Sequence, residues 1–442
     1  MIEQKDARKK LKLSIHENLH SISVHGIVNI IRSEYSISKL LWFILTIVST
    51  GFGSYFALLS ILDYFQYDVT TYVRLMTVNQ LDFPTITICN RNQFSTIESI
   101  KYIKENIEMA SKNSISDYDS AEELFSNINL YERKNMTLSI DEMLLSCKFN
   151  QKDCNKNDFV WIFNRHYGNC YRYNSKINDS KSITRAVSKY GLMLDLYLGL
   201  PEELKNYSLK LNQKSILVSL TEKSVNPYRS FTNLIELPTG VDSYIQVEKT
   251  LFEQEPRPYS NCSEPTSDLI YYEQLTRAGY LYSQLICVDF CLANFSLAEC
   301  NCIILKSSIN FANKTYCKLN TSEYNCSYNI FLRESKYALF CHEICPIECK
   351  REKYSYLETN TKLNTKILSD KQNNMIKYYA EDDLLRLKIN YASLNYIYFK
   401  EKPSMNFFNL LSNFGGTLGL FLGNKYLLKN SSILWYFIIF FK

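Results

Sequence analysis

Apolar and polar positions fall into two kinds of pattern along this chain. Leu40 to Leu62 is an apolar run of 23 residues without a charged side chain. At about 1.5 Å per residue, such a helix reaches roughly 34 Å, enough for a bilayer core of about 30 Å. A buried soluble helix would keep a polar face, and this run shows none. It is too long for the apolar part of a signal peptide, and 39 residues precede it. It therefore predicts a membrane span over 40–62. A second uncharged run, Phe407 to Gly423, has 17 residues and predicts the start of another span. Lys425 and Lys429 interrupt it before a last apolar piece, Ile433 to Phe441.

Between the runs the pattern changes to shorter periods. Residues 69–90 read as extended structure closing on Phe83–Asn90. Residues 96–146 carry helical periodicity, as at Ile100, Ile103, Ile107 and Ala110. Residues 168–260 read mainly as strands. Tyr271 to Leu285 predicts a helix, and 376–400 turns β-like toward its end. Glu381-Asp382-Asp383 reads as a solvated turn. The expectation is an α/β membrane protein, with a mixed body over 63–406 between a cytosolic segment, 1–39, and a tail, 424–442.

Composition narrows the function classes. Fifty basic against 45 acidic residues leave +5, too balanced for a nucleic-acid clamp. A hydrophobic share of 46% excludes a disordered chain, and 12 Gly with 9 Pro exclude a collagen-like one. The 34 Tyr and 25 Phe predict a large packed body. No Gly-x-Ser-x-Gly elbow, phosphate loop or zinc spacing is present, so neither an enzyme nor a cofactor is expected.

Three signals give the orientation. Before the first run, Lys5, Arg8, Lys9, Lys10, Lys12, Arg32 and Lys39 outweigh Glu3, Asp6, Glu17 and Glu34, which reads as cytosolic. All 14 cysteines, from Cys89 to Cys349, lie between the runs, as suits an oxidising compartment. Glycosylation sequons start at Asn135, Asn178, Asn206, Asn261, Asn294, Asn313, Asn320 and Asn325, on that same side. Both ends are expected in the cytosol and the body outside a plasma membrane. His166 and His342 are the body's only histidines, so no metal site is expected there. His16 and His20, four apart, read as a solvated helix face.

Several blocks in order carry a resemblance. They are Ser23-Val24-His25-Gly26, Phe83–Asn90 (FPTITICN), Gly168–Asn174, Gly191–Tyr197, and Pro258-Tyr259-Ser260-Asn261-Cys262. The spacing Cys287-x3-Cys291-x8-Cys300-x-Cys302 and the segment Leu410–Gly423 (LLSNFGGTLGLFLG) follow. Over roughly 20–423 the chain resembles the degenerin, epithelial sodium channel and acid-sensing ion channel family. That resemblance implies two transmembrane helices flanking a disulfide-rich extracellular domain of finger, thumb, palm, knuckle and β-ball type. It also implies a homo- or heterotrimer of related subunits conducting Na+, amiloride-sensitive and extracellularly gated, with the stimulus open between an unknown extracellular ligand such as a peptide, protons, a mechanical tether and constitutive opening. Spacing alone cannot choose among the cysteine pairings. The resemblance implies Cys89–Cys170, Cys147–Cys154, Cys262–Cys349, Cys287–Cys345, Cys291–Cys341, Cys300–Cys326 and Cys302–Cys317.

The second run holds the candidate pore. Gly415, Gly419 and Gly423 recur every four residues, with Gly416 beside the first. On residues alone the stripe fits a tight helix–helix contact. The resemblance makes it line a cation path, with Gly423 opening the filter. It also assigns gating to His25, Gly26 (a tight turn), Ser412 and Asn413, and a membrane-side aromatic contact to Tyr67 and Tyr259. After Gly423 the family pattern stops: Asn424 and Lys425 stand where small residues are expected, and no acidic residue follows. A lysine there opposes sodium passage, and the tail reads as a mis-spliced or mis-predicted 3′ end. Two rivals stay open: a non-conducting regulatory or truncated subunit, and a membrane-tethered cysteine-rich receptor without a pore.

Overall fold

The computed structural model describes residues 25–110, 130–164, 167–176, 181–187, 189–200, 214–222, 234–277, 282–303, 317, 321–332, 334–364 and 380–422. In chain order, helices α1 (His25–Arg32) and α2 (Ser36–Phe65) lead into strands β1 (Val69–Thr77), β2 (Leu81–Asp82) and β3 (Thr85–Asn90). Helices α3 (Ile97–Ala110), α4 (Leu130–Met136) and α5 (Ile140–Met143) follow. Next come β4 (Leu144–Phe149), β5 (Lys152–Asp153), β6 (Phe159–Asn164), β7 (Gly168–Tyr173), β8 (Ser182–Ile183) and β9 (Leu192–Tyr197). Strands β10 (Ser215–Thr221), β11 (Ile235–Pro238), β12 (Val241–Glu253) and β13 (Cys262–Ser263) precede helices α6 (Tyr272–Arg277), α7 (Gln284–Cys300), α8 (Ser322–Ile330) and α9 (Lys336–Ile344). The described chain ends with β14 (Ile347–Glu348), β15 (Lys350–Lys362), β16 (Leu384–Pro403) and α10 (Phe407–Leu422). Two compact units result, a helical one (residues up to Thr70 and from Glu401) and a body, Thr71–Lys400.

In the body, one sheet runs β15-β12-β16-β9-β4-β5, with β1 on β16, and a second runs β11-β10-β3-β7-β6. Strand alternation sends Leu192, Leu194 and Leu196 inward from β9, with Ile245 and Val247 from β12 and Leu387, Ile389 and Tyr391 from β16. They share one core with Ile86, Ile88, Tyr173, Ile216 and Val218 of the second sheet. The other face of the first sheet is polar, and its registers align two rows. One is Ser146–Asp195–Arg386–Asp242–Thr361; the next is Lys148–Met193–Lys388–Tyr244–Thr359. In the first row, Arg386 Nε and Nη2 donate to both oxygens of Asp195, at 2.6 and 3.2 Å, and both side chains are buried. Burial alone would lower the Arg386 pKa, but the Asp195 carboxylate outweighs it and raises it.

The pairing of β1 with β16 is antiparallel. Val78 N–H donates to Leu394 C=O at 3.1 Å, and Ser404 N–H donates to Asp68 C=O at 2.8 Å. Three residues, 66–68, join α2 to β1, and three, 404–406, join β16 to α10.

The cysteine-rich part is a helical cluster whose core includes Leu275, Ile286, Val288, Leu292 and Ile330. Ser283 caps α7 by accepting the Ile286 N–H, and Thr321 and Ser335 cap α8 and α9 in the same way. Cys287 and Cys291, one turn apart on α7, bond to Cys345 and Cys341 at the end of α9. Cys300–Cys326 and Cys302–Cys317 extend the series, and Cys262–Cys349 closes it beside the β13–β14 pair. Cys89–Cys170 crosses between paired β3 and β7, and Cys147–Cys154 ties the β4–β5 hairpin. The seven bonds join the cysteines that the resemblance pairs.

Three sequence expectations need correction. The helical pattern read over 96–146 stops at Met143, because Leu144–Phe149 pairs with β9 as strand β4. Tyr271 to Leu285 is not one helix: α6 ends at Arg277, and the Ser283 cap starts a separate, longer helix. The turn Glu381–Asp383 is not wholly solvated, since Asp383 is buried and paired with Lys214.

Candidate functional site

The helical unit is built on α2, few of whose side chains are buried. Leu40, Phe43, Ile44, Ile47, Phe52, Leu58 and Leu62 stand outward. Its hydroxyls turn inward on the helix: Thr46, Thr50 and Ser60 donate to the carbonyls of Trp42, Thr46 and Phe56. A helix with apolar side chains outside and hydroxyls bonded back to its own carbonyls, as at these three positions, is suited to lipid. By length and composition it can cross a membrane. It extends beyond the predicted 40–62 at both ends, over Ser36–Phe65.

α10 packs against α2 at one point of its circumference. Ser49 Oγ donates to Phe421 C=O at 2.5 Å, and the Phe421 ring stacks on Phe56 with centroids 5.8 Å apart. Gly53 is buried there, and a Cβ built on it would lie 3.2 Å from Phe421 Cβ. Gly415, Gly416 and Gly419 are different. A Cβ on any of them would meet nothing within 4 Å. The glycine stripe is therefore not the surface that seats α10 on α2. Ser412 and Asn413 are exposed on the same helix. Gly423 and the tail 424–442 lie outside the described residues.

His25 opens α1, and Gly26 follows. Gly26 is not in the left-handed region a tight turn would need. Its missing side chain serves packing instead: a Cβ would stand 2.2 Å from Thr46 Oγ1 of α2. Tyr67, at φ 54°, follows the end of α2, and its ring lies 6.2 Å from Phe65 and 6.4 Å from Tyr64. Tyr259 belongs to the body, where its N–H donates to Pro256 C=O.

At the C-terminal end of β12, Glu253 lies opposite Lys400 of the parallel strand β16. Tyr398 O–H and Lys400 Nζ both donate to its carboxylate. These bonds, that from Tyr398 foremost, hold the Glu253 pKa below its ordinary 4.5. One step along the register, Phe252 and Phe399 stack at 5.0 Å, with the Arg351 guanidinium 5.1 Å over Phe252. Sequence reasoning missed this clasp, and strand alternation without the register could not have located it.

Among the described sequon residues, Asn135, Asn261 and Asn325 are exposed and Asn294 is half-exposed. Asn178, Asn206, Asn313 and Asn320 lie outside the described residues. Among the described residues no cluster of His, Cys, Asp and Glu is disposed to hold a metal.

Comparison with known proteins bears on these features directly. Residues 19–424 match the family described as amiloride-sensitive sodium channel. The human bile acid-sensitive ion channel is 24% identical over 92% of this chain and 82% of its own length. Acid-sensing ion channel 1 of Gallus gallus is 23% identical over 96% of this chain and 83% of its own. The gamma subunit of the epithelial sodium channel from Rattus norvegicus is 26% identical over 68% of this chain, which spans 47% of that subunit. With the match running from before α1 to the end of α10, the chain belongs to the amiloride-sensitive sodium channel family.

Proposed function

We propose that this chain is a subunit of a trimeric, extracellularly gated, amiloride-sensitive channel that carries Na+ across the plasma membrane. In this reading α2 and α10 both span the bilayer, both termini are cytosolic, and the cysteine-rich body is extracellular and glycosylated at the named asparagines. One observation carries the proposal. α10 is held to α2 through Phe421, while a Cβ added at Gly415, Gly416 or Gly419 would meet nothing within 4 Å among the described residues. A glycine face left open lets the backbones of three such helices approach around an axis, where carbonyls can replace ion hydration. Ser412 and Asn413 then stand at the outer mouth and Gly423 at the filter, with His25 and Gly26 at the inner side. The three-residue joints after α2 and before α10 would pass strain from the body to the pore, with Tyr67 and Tyr259 bridging them.

The second reading, a non-conducting partner of complete subunits, is favoured by Asn424 and Lys425 directly after the last glycine. Voltage clamp of cells expressing the chain, alone and with a related complete subunit, separates the two. Inward current from the chain alone, lost when Na+ is replaced, blocked by amiloride and altered by Ser412→Trp, supports conduction. No current alone, with Ser412→Trp altering the partner's current, supports the regulatory reading. No effect in either setting leaves the pore-less receptor.

A further inference from the structure

The polar face of the first sheet carries an open groove of about 560 Å³, which runs along the Lys148–Met193–Lys388–Tyr244–Thr359 row. That volume falls within the range of drug-sized ligand sites, about 300–1,000 Å³. Three ammonium groups, Lys148, Lys189 and Lys388, and one carboxylate, Asp242, line it. Lys388 Nζ is held by Asp242 at 2.7 Å. Lys148 reaches only Asp153, 3.5 Å away, whose side chain is 85% exposed, so water screens that pair and leaves the ammonium free to re-aim. Lys189 is exposed and has no acidic partner among the described residues. The groove thus holds a surplus of two positive charges.

Its walls are amphipathic. Tyr244 and Tyr190 present rings, and the Arg185 guanidinium lies 5.5 Å over the Tyr190 ring and donates to its oxygen, which fixes it. Gly191 lets the loop close onto β16, since a Cβ there would stand 2.2 Å from Ile389 C=O. Asn390, 3% exposed, also lines the groove. Its Nδ2 donates to Tyr391 C=O, while its Oδ1 has no hydrogen-bond partner among the described residues. A buried acceptor left open is a place for a donor to arrive.

We propose that this groove binds an amphipathic organic anion. A carboxylate or sulfonate head sits among Lys148, Lys189 and Lys388. A ring body lies on Tyr190 and Tyr244, and a hydroxyl or N–H of that body donates to Asn390 Oδ1. Lysines serve such a head as point charges that accept it in several orientations. The inference rests on the body alone and does not depend on ion conduction.

Lysine footprinting of the purified full-length chain tests it, with naphthalene-1-sulfonate as probe and 1-naphthalenemethanol as its uncharged counterpart. At about 1 mM the sulfonate is expected to slow acetylation of Lys148, Lys189 and Lys388 about threefold, with exposed Lys101 unaffected. The alcohol protects none of them. In the double variant Lys148→Glu, Lys189→Glu, the protection of Lys388 is lost, while intact disulfides and an unchanged melting temperature show that the body still folds. Three results would overturn the proposal: no protection, equal protection by the alcohol, or shielding of all three lysines before any probe is added, as by a neighbouring copy. Currents measured separately report on conduction, so failure of one reading is distinct from failure of the other.

Discussion

Phe421 occupies the space that Gly53 leaves on the neighbouring helix, with only 3.2 Å between Phe421 Cβ and the position a Gly53 Cβ would take. Gly51, two residues earlier, has nothing within 4 Å of its own such position. Gly53→Leu should therefore push α10 off α2 at a cost of about 1–3 kcal/mol, as overpacking does. Gly51→Leu should be close to neutral. Melting temperatures of the two solubilised variants make the comparison, and an equal loss in both would remove the packing explanation.

Gly26 makes the parallel case for α1. A Cβ there meets Thr46 Oγ1 at 2.2 Å and Thr46 Cγ2 at 2.9 Å, but Thr46 Cβ only at 3.1 Å. Gly26→Ala alone should disturb the α1–α2 contact and reduce channel current severalfold. Adding Thr46→Ala removes the two nearest atoms and should restore much of the loss. Absence of rescue would point away from Thr46 as the obstacle.

The buried Arg386–Asp195 pair predicts an asymmetry. Asp195→Asn leaves a buried guanidinium without its counter-charge and should destabilise the body by about 3–5 kcal/mol. The double change Asp195→Leu, Arg386→Met removes both charges and should cost far less. Chemical denaturation of the three proteins measures this. A double variant as unstable as the single one would mean that packing, not charge, sets the cost.

The clasp on Glu253 has a definite pH sign. Its folded pKa is lowered, first by the Tyr398 hydrogen bond and then by Lys400. Its contribution is therefore fully present above the unfolded value of 4.5 and is lost as pH falls through the lower folded value. Between about pH 7 and pH 5 the carboxylate stays charged. Glu253→Gln should lower the melting temperature at neutral pH, with the difference closing only as pH falls below 4.5. It should leave any pH response of the current between about pH 7 and pH 5 in place. A shifted midpoint in that range would make Glu253 part of a proton sensor.

Much of this architecture was legible before the fold was seen, for reasons that differ by element. The 23-residue apolar run announces α2 because a bilayer imposes length and removes charge together. The cysteine pairing came from resemblance, since spacing cannot say which two helices will face each other. Local signals misled where long-range pairing took over: Leu144–Phe149 follows a helical pattern but is held as strand by β9. Gly26 reads as a turn residue in sequence because its real constraint, Thr46, lies 20 residues away and touches it only after α1 folds back. The groove lysines, the Glu253 clasp and the Arg386–Asp195 pair were out of reach for the same reason. Each depends on which residue stands opposite which across separate strands.

The antiparallel joint between β1 and β16 has a mechanical consequence. Its two ends are marked by Ser404 on Asp68 and by Val78 on Leu394. The chain enters β1 and leaves β16 at the Asp68–Ser404 end, so any pull exerted by the flanking helices acts there. Load applied to adjacent ends peels a ribbon one rung at a time, beginning with that bond. The α7–α9 pair, riveted by Cys287–Cys345 and Cys291–Cys341, cannot yield in this way. Of these two features, the strand joint alone can open without breaking a covalent bond, one hydrogen bond at a time.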